Sequence, residues 1–262
     1  MILDDIISKK KIRLKNTKQE KSLETLKNEA FSKLEFENGE NKFYQAMSKD
    51  GLSVIGEIKH ASPSTGTIDF KLNLYERVEK YSQSVDAISV LTEEDFFAGN
   101  IDIFKKVRKL TKKPLLRKDF IIDPYQIYES KAIGADAILL IATTLKEEQL
   151  INYVKLARQL KLEVLLEVHD TDDLKKAIKT NTRIIGINNR DLKDFTINLS
   201  TTKELCEYIS DRLVVSESGI KTIDDIKQLK DVTINGVLVG TSLMKSSNPD
   251  VIIKEWKGYY DS

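Results

Sequence analysis

Two patterns of hydrophobic positions alternate along the chain from about residue 53 to its end. One is a short uninterrupted run of apolar residues, and the other places apolar residues three and four positions apart. The first pattern is typical of strands buried on both faces, and the second of amphipathic helices. The runs predicted as strands are 54–58, 87–91, 115–117, 137–141, 164–168, 184–187, 213–215 and 237–239.

The segments between the predicted strands have the spacing of helices, as in 72–81, 101–110, 125–133, 150–160 and 174–178. Two of these segments are preceded by residues that favour a helix start. Asp123 stands before Pro124, and Thr222 stands three residues before Asp225. An acidic or hydroxyl side chain can cap the first amide groups of a helix, and proline suits its first position.

Eight strands alternating with helices predict an α/β protein with a parallel sheet and right-handed crossovers. Eight such units favour a closed (β/α)8 TIM barrel. An open doubly wound sheet is the alternative, and it predicts a glycine-rich nucleotide-binding turn after the first strand. That strand is instead followed by His60-Ala-Ser-Pro-Ser, without a GxGxxG or Walker motif. We therefore expect a single domain over residues 1–262, with the barrel in residues 51–262.

The first fifty residues do not share the alternation, so we predict an N-terminal helical extension over residues 1–50. They are rich in lysine and glutamate, with Ile2, Ile6, Ile7 and Leu14 at roughly helical spacing. One interpretation is an extra helical segment packed on the barrel. The other is a segment that covers one mouth of the barrel and contributes to a substrate site.

Composition and net charge indicate which partners and which cellular compartment to expect. The 262 residues carry a formal net charge of only +1, which gives no reason to expect nucleic acid or an anionic membrane as partner. The longest apolar run, 137–142, is too short to span a bilayer, and the N-terminus lacks the apolar region of a secretory signal. Cys206 is the single cysteine and excludes an intramolecular disulfide. We expect a cytoplasmic protein, and a monomer because no exposed apolar stripe is evident.

Polar residues stand at the ends of most predicted strands. The carboxyl ends of the strands hold the active site in a barrel of this type. Alternate strand residues point to opposite sides, so Glu57 and Lys59 should share one side. A single lysine there is compatible with an ordinary solvated strand end, but several charged or amide ends at the same edge predict an acid–base site. The residues concerned are Glu57, Lys59, Lys118, Glu167, Asn188, Glu217 and Ser218.

The sequence predicts no metal site and no cofactor. The two histidines, His60 and His169, follow different strands, and no cluster of ligand residues has metal-binding spacing. A GxSxG nucleophile elbow is also missing from the sequence.

Small residues follow the last two predicted strands and suggest a phosphate site. Gly219 and Gly240 would let backbone N–H groups approach an anion, and Thr241 adds a hydroxyl. A short helix after Gly240 would direct its N-terminus at the same anion. Glycine-containing turns are common punctuation, but loops after the seventh and eighth strands frequently bind phosphate in these barrels.

Several strings at the strand ends resemble the indole-3-glycerol phosphate synthase family. They are GEIKHASPSTG (56–66), LTEEDFFAGN (91–100), LLRKDFIIDPYQI (115–127), LLEVHD (165–170), IGINNRDL (185–192), VSESGI (215–220) and VGTSLMK (239–245). The resemblance covers nearly the whole chain in the expected order. It implies ring closure of 1-(2-carboxyphenylamino)-1-deoxyribulose 5-phosphate to indole-3-glycerol phosphate, with loss of CO2 and water.

The same resemblance implies roles for the residues at the strand ends. Lys118 would be the general acid that protonates the ketone oxygen. Lys59 would hold the substrate carboxylate and would also assist proton transfer after CO2 leaves. Glu167 would act in the dehydration, as base or as stabiliser of positive charge. Glu57 would pair with a lysine, while Asn188 and Glu217 would bind substrate hydroxyls.

The resemblance also implies two binding regions. The phosphate would be held by Ser62, Arg190, Gly219, Gly240 and Thr241. A salt bridge to Asp191 is the alternative for Arg190. Phe97 and Phe120 would wall the aromatic part of the substrate, with ordinary core packing as their alternative.

Two other functions share this architecture. Phosphoribosylanthranilate isomerase and the tryptophan synthase α-subunit would keep the phosphate loops, but isomerase chemistry would use a cysteine–aspartate pair at strand ends. Cys206 lies in a predicted helix instead. A non-catalytic phosphate-binding barrel would have lost at least one polar strand end, and none is lost.

Overall fold

A computed structural model describes residues 2–34, 39–62, 66–67, 71–192 and 194–262. Eight parallel strands form a closed barrel, each paired with the next along the chain and the last paired with the first. They are β1 (Ser53–Ile58), β2 (Ala87–Leu91), β3 (Leu115–Lys118), β4 (Ala137–Ile141), β5 (Glu163–Val168), β6 (Ile184–Asn188), β7 (Leu213–Glu217) and β8 (Gly236–Val239). The predicted (β/α)8 barrel is confirmed, and every predicted strand overlaps an observed one.

Helices precede the barrel and alternate with its strands. The N-terminal extension forms α1 (Ile2–Glu20), α2 (Leu23–Leu34) and α3 (Lys42–Ser48). The others are α4 (Leu74–Ser84), α5 (Ile101–Leu110), α6 (Pro124–Ala132), α7 (Glu147–Gln159), α8 (Thr171–Ile178), α9 (Ser200–Cys206), α10 (Ile223–Leu229), α11 (Thr241–Lys245) and α12 (Pro249–Tyr260). Within the described ranges, no helix combines the length and the apolar character needed to cross a bilayer.

Capping side chains determine the residues at which these helices begin. The Asp123 carboxylate accepts a hydrogen bond from the backbone N–H of Tyr125, and Pro124 occupies the first turn of α6. At α10, Thr222 and Asp225 form a reciprocal capping box. Both predicted helix starts are therefore confirmed, because these side chains satisfy amide groups that have no partner inside the helix.

Alternation along each strand separates two cores. In β1, Val54 and Ile58 pack between the barrel and the surrounding helices, whereas Ile55 points into the barrel lumen. Lumen residues from the other strands, including Leu116, Leu165 and Val215, complete the inner core. Because the side-chain period of a strand is two, Glu57 lies on the lumen side together with Ile55.

One end of the lumen is closed by the N-terminal extension. Phe43 and Met47 of α3 are fully buried and pack against the inner core residues Ile55, Ala87 and Leu116. These residues stand at or near the amino-terminal ends of their strands. The apolar plug closes this end of the lumen, and the polar residues lie at the other end, where the strands have their carboxyl ends.

Candidate active site

The carboxyl end of the barrel forms a cavity that gathers the predicted strand-end residues. Glu57, Lys59, Lys118, Glu167 and Asn188 line it. Glu57, Lys118 and Glu167 belong to strands that are far apart in the sequence, and Lys59 directly follows β1. Barrel closure brings their inward-facing positions to one rim. Glu217, at the end of β7, is fully buried and lies beneath this surface.

Lys118 is at the centre of a row of alternating charges. Its Nζ lies 3.1 Å from Glu217 Oε2 and 3.4 Å from Glu57 Oε2. Burial lowers the pKa of Lys118, but the neighbouring carboxylates of Glu217 and Glu57 outweigh burial and raise it above the ordinary value. Lys118 is therefore an ammonium group at neutral pH and has a proton to donate.

Glu57 links the two lysines. Its Oε1 lies 2.7 Å from Lys59 Nζ, so the pair has the geometry that strand alternation predicted. Burial raises the pKa of Glu57, but Lys59 and Lys118 outweigh burial and hold it at about 2. Gly240 makes room for this pair, since a Cβ there would lie 2.3 Å from Glu57 Oε1 and 2.8 Å from Lys59 Nζ.

Glu217 has a different environment from Glu57. Burial, together with the nearby charges of Glu167 and Glu57, raises its pKa to about 7 despite the adjacent Lys118 ammonium. Its Oε1 fits against Gly186, where a Cβ would lie only 2.2 Å away. Glu217 is fully buried, and its other oxygen, Oε2, lies 3.1 Å from Lys118 Nζ.

Glu167 forms the second polar group of the cavity. Asn188 Nδ2 donates a 3.1 Å hydrogen bond to Glu167 Oε1, and His169 Nε2 lies 3.1 Å from the same oxygen. Burial raises the pKa of Glu167, but His169 and Lys118 bring it below its ordinary value. Glu167 is therefore a carboxylate at neutral pH and can accept a proton or stabilise a nearby cation.

The predicted phosphate-binding residues line the same cavity, with one exception. They are Arg190, Gly219, Gly240 and Thr241, and Ser218, which was predicted among the acid–base strand ends, lines the cavity beside Gly219. The side chain of Ser62 lies outside the part of the chain that the structure describes. The turn after β7 has left-handed backbone at Ser218 (φ 65°) and Gly219 (φ 89°). The Ser242 hydroxyl of the neighbouring turn donates a 3.2 Å hydrogen bond to the Ile220 carbonyl, which ties the two turns together.

An apolar wall completes the cavity. Phe97 and Phe120 both line it, with ring centroids 6.2 Å apart. Ile2, Leu3 and Ile6 of α1 add to the same cavity. The extension therefore packs on the barrel, as the first interpretation predicts, and its helix α1 also lines part of the cavity at the barrel mouth.

Three functional features escaped the sequence reasoning. Lys10 of α1 is buried and lies 2.8 Å from Asp119 Oδ1 and 3.1 Å from Glu94 Oε2, which fastens α1 beside Lys118. Its position four residues after Ile6, on the buried stripe of the helix, was the available signal. His169 stands two residues after Glu167, so alternation could have placed it on the same side. Nothing in the sequence indicates that the missing side chain of Gly186 makes room for the Glu217 carboxylate.

A (β/α)8 barrel whose mouth joins a lysine–carboxylate row, an apolar wall and a glycine–arginine rim is an acid–base enzyme for a small anionic substrate with an apolar part. The comparisons with known proteins agree. The family model described as indole-3-glycerol phosphate synthase matches residues 3–256. The chain belongs to the indole-3-glycerol phosphate synthase family, whose members are carboxy-lyases of tryptophan biosynthesis.

Individual relatives support the same assignment. The chain is 44% identical over 268 residues to the indole-3-glycerol phosphate synthase of Lachnospira eligens, covering 100% of this chain and 99% of the relative. It is 46% identical over 247 residues to that of Clostridium kluyveri, covering 94% and 93%. Among solved structures, 3-hexulose-6-phosphate synthase from Salmonella typhimurium superposes with a TM-score of 0.65 at 11% identity, covering 80% of this chain and 98% of that one. This last likeness concerns the fold alone.

Proposed function

We propose that this cavity converts 1-(2-carboxyphenylamino)-1-deoxyribulose 5-phosphate to indole-3-glycerol phosphate, CO2 and water. The observation that carries the proposal is the position of the Lys118 ammonium. It is held between two buried carboxylates in a cavity that is also lined by the apolar wall and by the glycine–arginine rim. The substrate has the matching parts: an aromatic ring with a carboxylate, a ketone and a phosphate.

Ring closure needs a proton on the ketone oxygen as the aromatic carbon attacks its carbonyl carbon. Lys118 supplies that proton as general acid, because its carboxylate neighbours keep it protonated. Glu217 has a pKa of about 7, so part of it is the carboxylic acid at neutral pH, and this form returns a proton to the neutral Lys118 amine. An acid and its proton source are therefore packed in contact at 3.1 Å.

Decarboxylation follows when the new ring loses the carboxylate as CO2. Lys59 binds this carboxylate beforehand, and its pairing with Glu57 fixes the ammonium group in the cavity. The hydroxyl then takes a proton from the Lys59 ammonium and leaves as water, which gives a cationic nitrogen. Glu167 stabilises that cation and removes the proton that restores the aromatic indole, while Asn188 orients both Glu167 and a substrate hydroxyl.

The ends of the substrate are held away from the reacting atoms. Gly219, Gly240, Thr241, Arg190 and Ser62 hold the phosphate, with Ser218 shaping the turn beside it. Phe97 and Phe120 pack against the aromatic ring. Fixing both ends brings the ring carbon and the ketone together, which converts ring closure into an oriented intramolecular step.

The proposal extends to the form of the protein. We propose a single domain over residues 1–262, because α1 contributes to the barrel cavity and Lys10 joins it to β3 through Asp119. A monomer in the cytoplasm is sufficient for this chemistry, since the residues assigned to it come from one chain.

A direct assay tests the function. Purified protein mixed with the substrate should produce the fluorescence of an indole without added metal or nucleotide, and no turnover would reject the proposal. Lys118→Ala should abolish ring closure while still binding an analogue whose ketone is reduced to an alcohol. Lys179→Ala, which removes an exposed lysine of the barrel exterior, is the matched control and should turn over normally. Near-normal turnover of Lys118→Ala would remove Lys118 from its role.

A further inference from the structure

His169 occupies the inner end of a polar chain that leads from the cavity to the surface. Its Nε2 lies 3.1 Å from Glu167 Oε1. Its Nδ1 lies 3.2 Å from Thr143 Oγ1 and 3.5 Å from Asp173 Oδ2. Thr143 is exposed, Asp173 is buried, and the His169 side chain is only 10% exposed.

Hydrogen bonds to Asp173 fix the residues around the imidazole ring of His169. The Thr143 hydroxyl donates to Asp173 Oδ2, and the backbone N–H of His169 donates to the same oxygen at 3.3 Å. Asp173 sits in the first turn of α8, where Asp170 caps the helix. These contacts come from the turn after β4, the end of β5 and the start of α8, so they fix the ring from three directions.

We infer that His169 is a positioning residue whose imidazolium, fastened by Thr143 and Asp173, keeps the Glu167 carboxylate ionised and in place for the dehydration half of the reaction. The inference rests on the proposed function, in which Glu167 acts on the cation left by loss of water. His169 lies behind Glu167 and does not line the cavity among the described residues, so it acts through the carboxylate.

The charges around the pair support this assignment. Burial lowers the pKa of His169, but its close contacts with the carboxylates of Asp173 and Glu167 outweigh burial and raise it to about 10. Glu167 is faced by His169, by Lys118 of β3 and by Asn188 of β6, with Glu217 of β7 nearby. Asp173 is faced by Lys176, whose Nζ lies 3.5 Å from Oδ1.

A neutral partner in place of His169 would leave Glu167 buried with less positive charge nearby. An opposite charge within about 4–6 Å lowers a carboxyl pKa by about 1–3 units, so its removal raises that pKa. Glu167 would then take up a proton at a higher pH. Activity that needs the carboxylate would be lost earlier as the pH falls.

The kinetic test compares His169→Gln with Lys175→Gln. The first removes a buried cation beside Glu167, and the second removes an exposed lysine of α8 whose contact is Asp172. The pH dependence of kcat should show the acidic limb of His169→Gln about 1–2 pH units higher than in the unsubstituted chain. At neutral pH, kcat should fall about tenfold or more with KM changed less than about twofold. Lys175→Gln should leave both the limb and kcat unchanged.

Thr143→Val provides a second variant at an exposed position in case His169→Gln does not fold. It removes the hydroxyl that joins His169 and Asp173, and it should move the acidic limb in the same direction by a smaller amount. An unmoved acidic limb in the folded variants, or a change confined to KM, would overturn the inference.

Nuclear magnetic resonance of the ring signals provides a test that needs no turnover. The His169 resonances, assigned by their disappearance in His169→Gln, should remain those of an imidazolium at pH 8. A neutral ring at that pH would overturn the inference even in an active enzyme. An inactive protein with a charged His169 would instead reject the proposed function while preserving the ion pair.

Discussion

Replacing Gly186 by alanine probes the space that holds Glu217 against Lys118. A Cβ at Gly186 would lie 2.2 Å from Glu217 Oε1 and 3.2 Å from Leu165 Cδ1. Ordinary non-bonded contacts lie about 1 Å further out, so the carboxylate must move by about that distance. Glu217 is fully buried, and any movement strains the contact between its Oε2 and Lys118 Nζ at 3.1 Å.

Two magnitudes follow from this displacement. Overpacking a buried site costs about 1–3 kcal/mol, so the free energy of unfolding of Gly186→Ala should fall by that amount. A displacement of about 1 Å in a catalytic constellation can cost about 100-fold in rate. We therefore expect kcat to fall about 100-fold, because Lys118 loses the partner that we propose returns its proton.

Steady-state kinetics and denaturant unfolding check both values. Gly258→Ala in α12 is the matched control, since a Cβ there would meet no atom within 4 Å. Alanine is the better helix former by about 1 kcal/mol, so this variant should keep its kcat and gain a little stability. The reasoning would be refuted if Gly186→Ala retained both kcat and stability while folding normally.

Three further predictions concern other parts of the molecule. Lys10→Met should lower the free energy of unfolding by about 3 kcal/mol, because Asp119 loses a buried partner. The same variant should raise KM, because α1 lines the cavity. An unchanged melting temperature together with an unchanged KM would contradict this prediction. Glu57 has a folded pKa of about 2 against an ordinary 4.5, so its ionised form stabilises the fold above pH 4.5 and this stability is lost as the pH falls towards 2. The difference in unfolding free energy between the unsubstituted chain and Glu57→Gln should therefore shrink by about 3 kcal/mol as the pH falls from 4.5 to 2, at about 1.4 kcal/mol per pKa unit. Acid titrations in which this difference stays constant would count against the prediction. Asn73→Ala removes the capping box of α4 and should cost about 1 kcal/mol in denaturant unfolding without altering kcat; a larger loss of activity would show that the cap affects the cavity.

The strands were predictable because their apolar runs are a local signal. A strand buried on both faces must be apolar throughout, so the apolar runs around Ile88 and Leu139 indicate directly where two of the strands lie. That Glu57 and Lys59 share one side of the strand was also predictable from alternation alone, whereas the barrel itself decides that this side faces the lumen. The ends were less certain, because the last residues of β7 are the polar Ser216 and Glu217, which the apolar pattern does not include.

The candidate site was predictable as a set of residues but not as a set of contacts. The sequence indicated that Lys118 and Glu217 stand at strand ends, and the resemblance suggested that Glu217 binds hydroxyls. The structure adds a contact that the sequence did not indicate: Glu217 is fully buried beneath Lys118, with Oε2 3.1 Å from Lys118 Nζ. This depth depends on how far each strand reaches along the barrel, and pairing register across the closed sheet sets that distance.

The sequence by itself determined the order of strands and helices, the polar strand ends and the turns at Gly219 and Gly240, because each is fixed by residues close together in the chain. Tertiary structure alone decided the partners of the charges that come from separate elements: Lys10 with Asp119, and Lys118 with Glu57 and Glu217. Most of these pairs join residues that barrel closure brings together from separate strands and helices. Their charge states follow from burial and from neighbours only a few ångströms away, and neither quantity is written in local sequence.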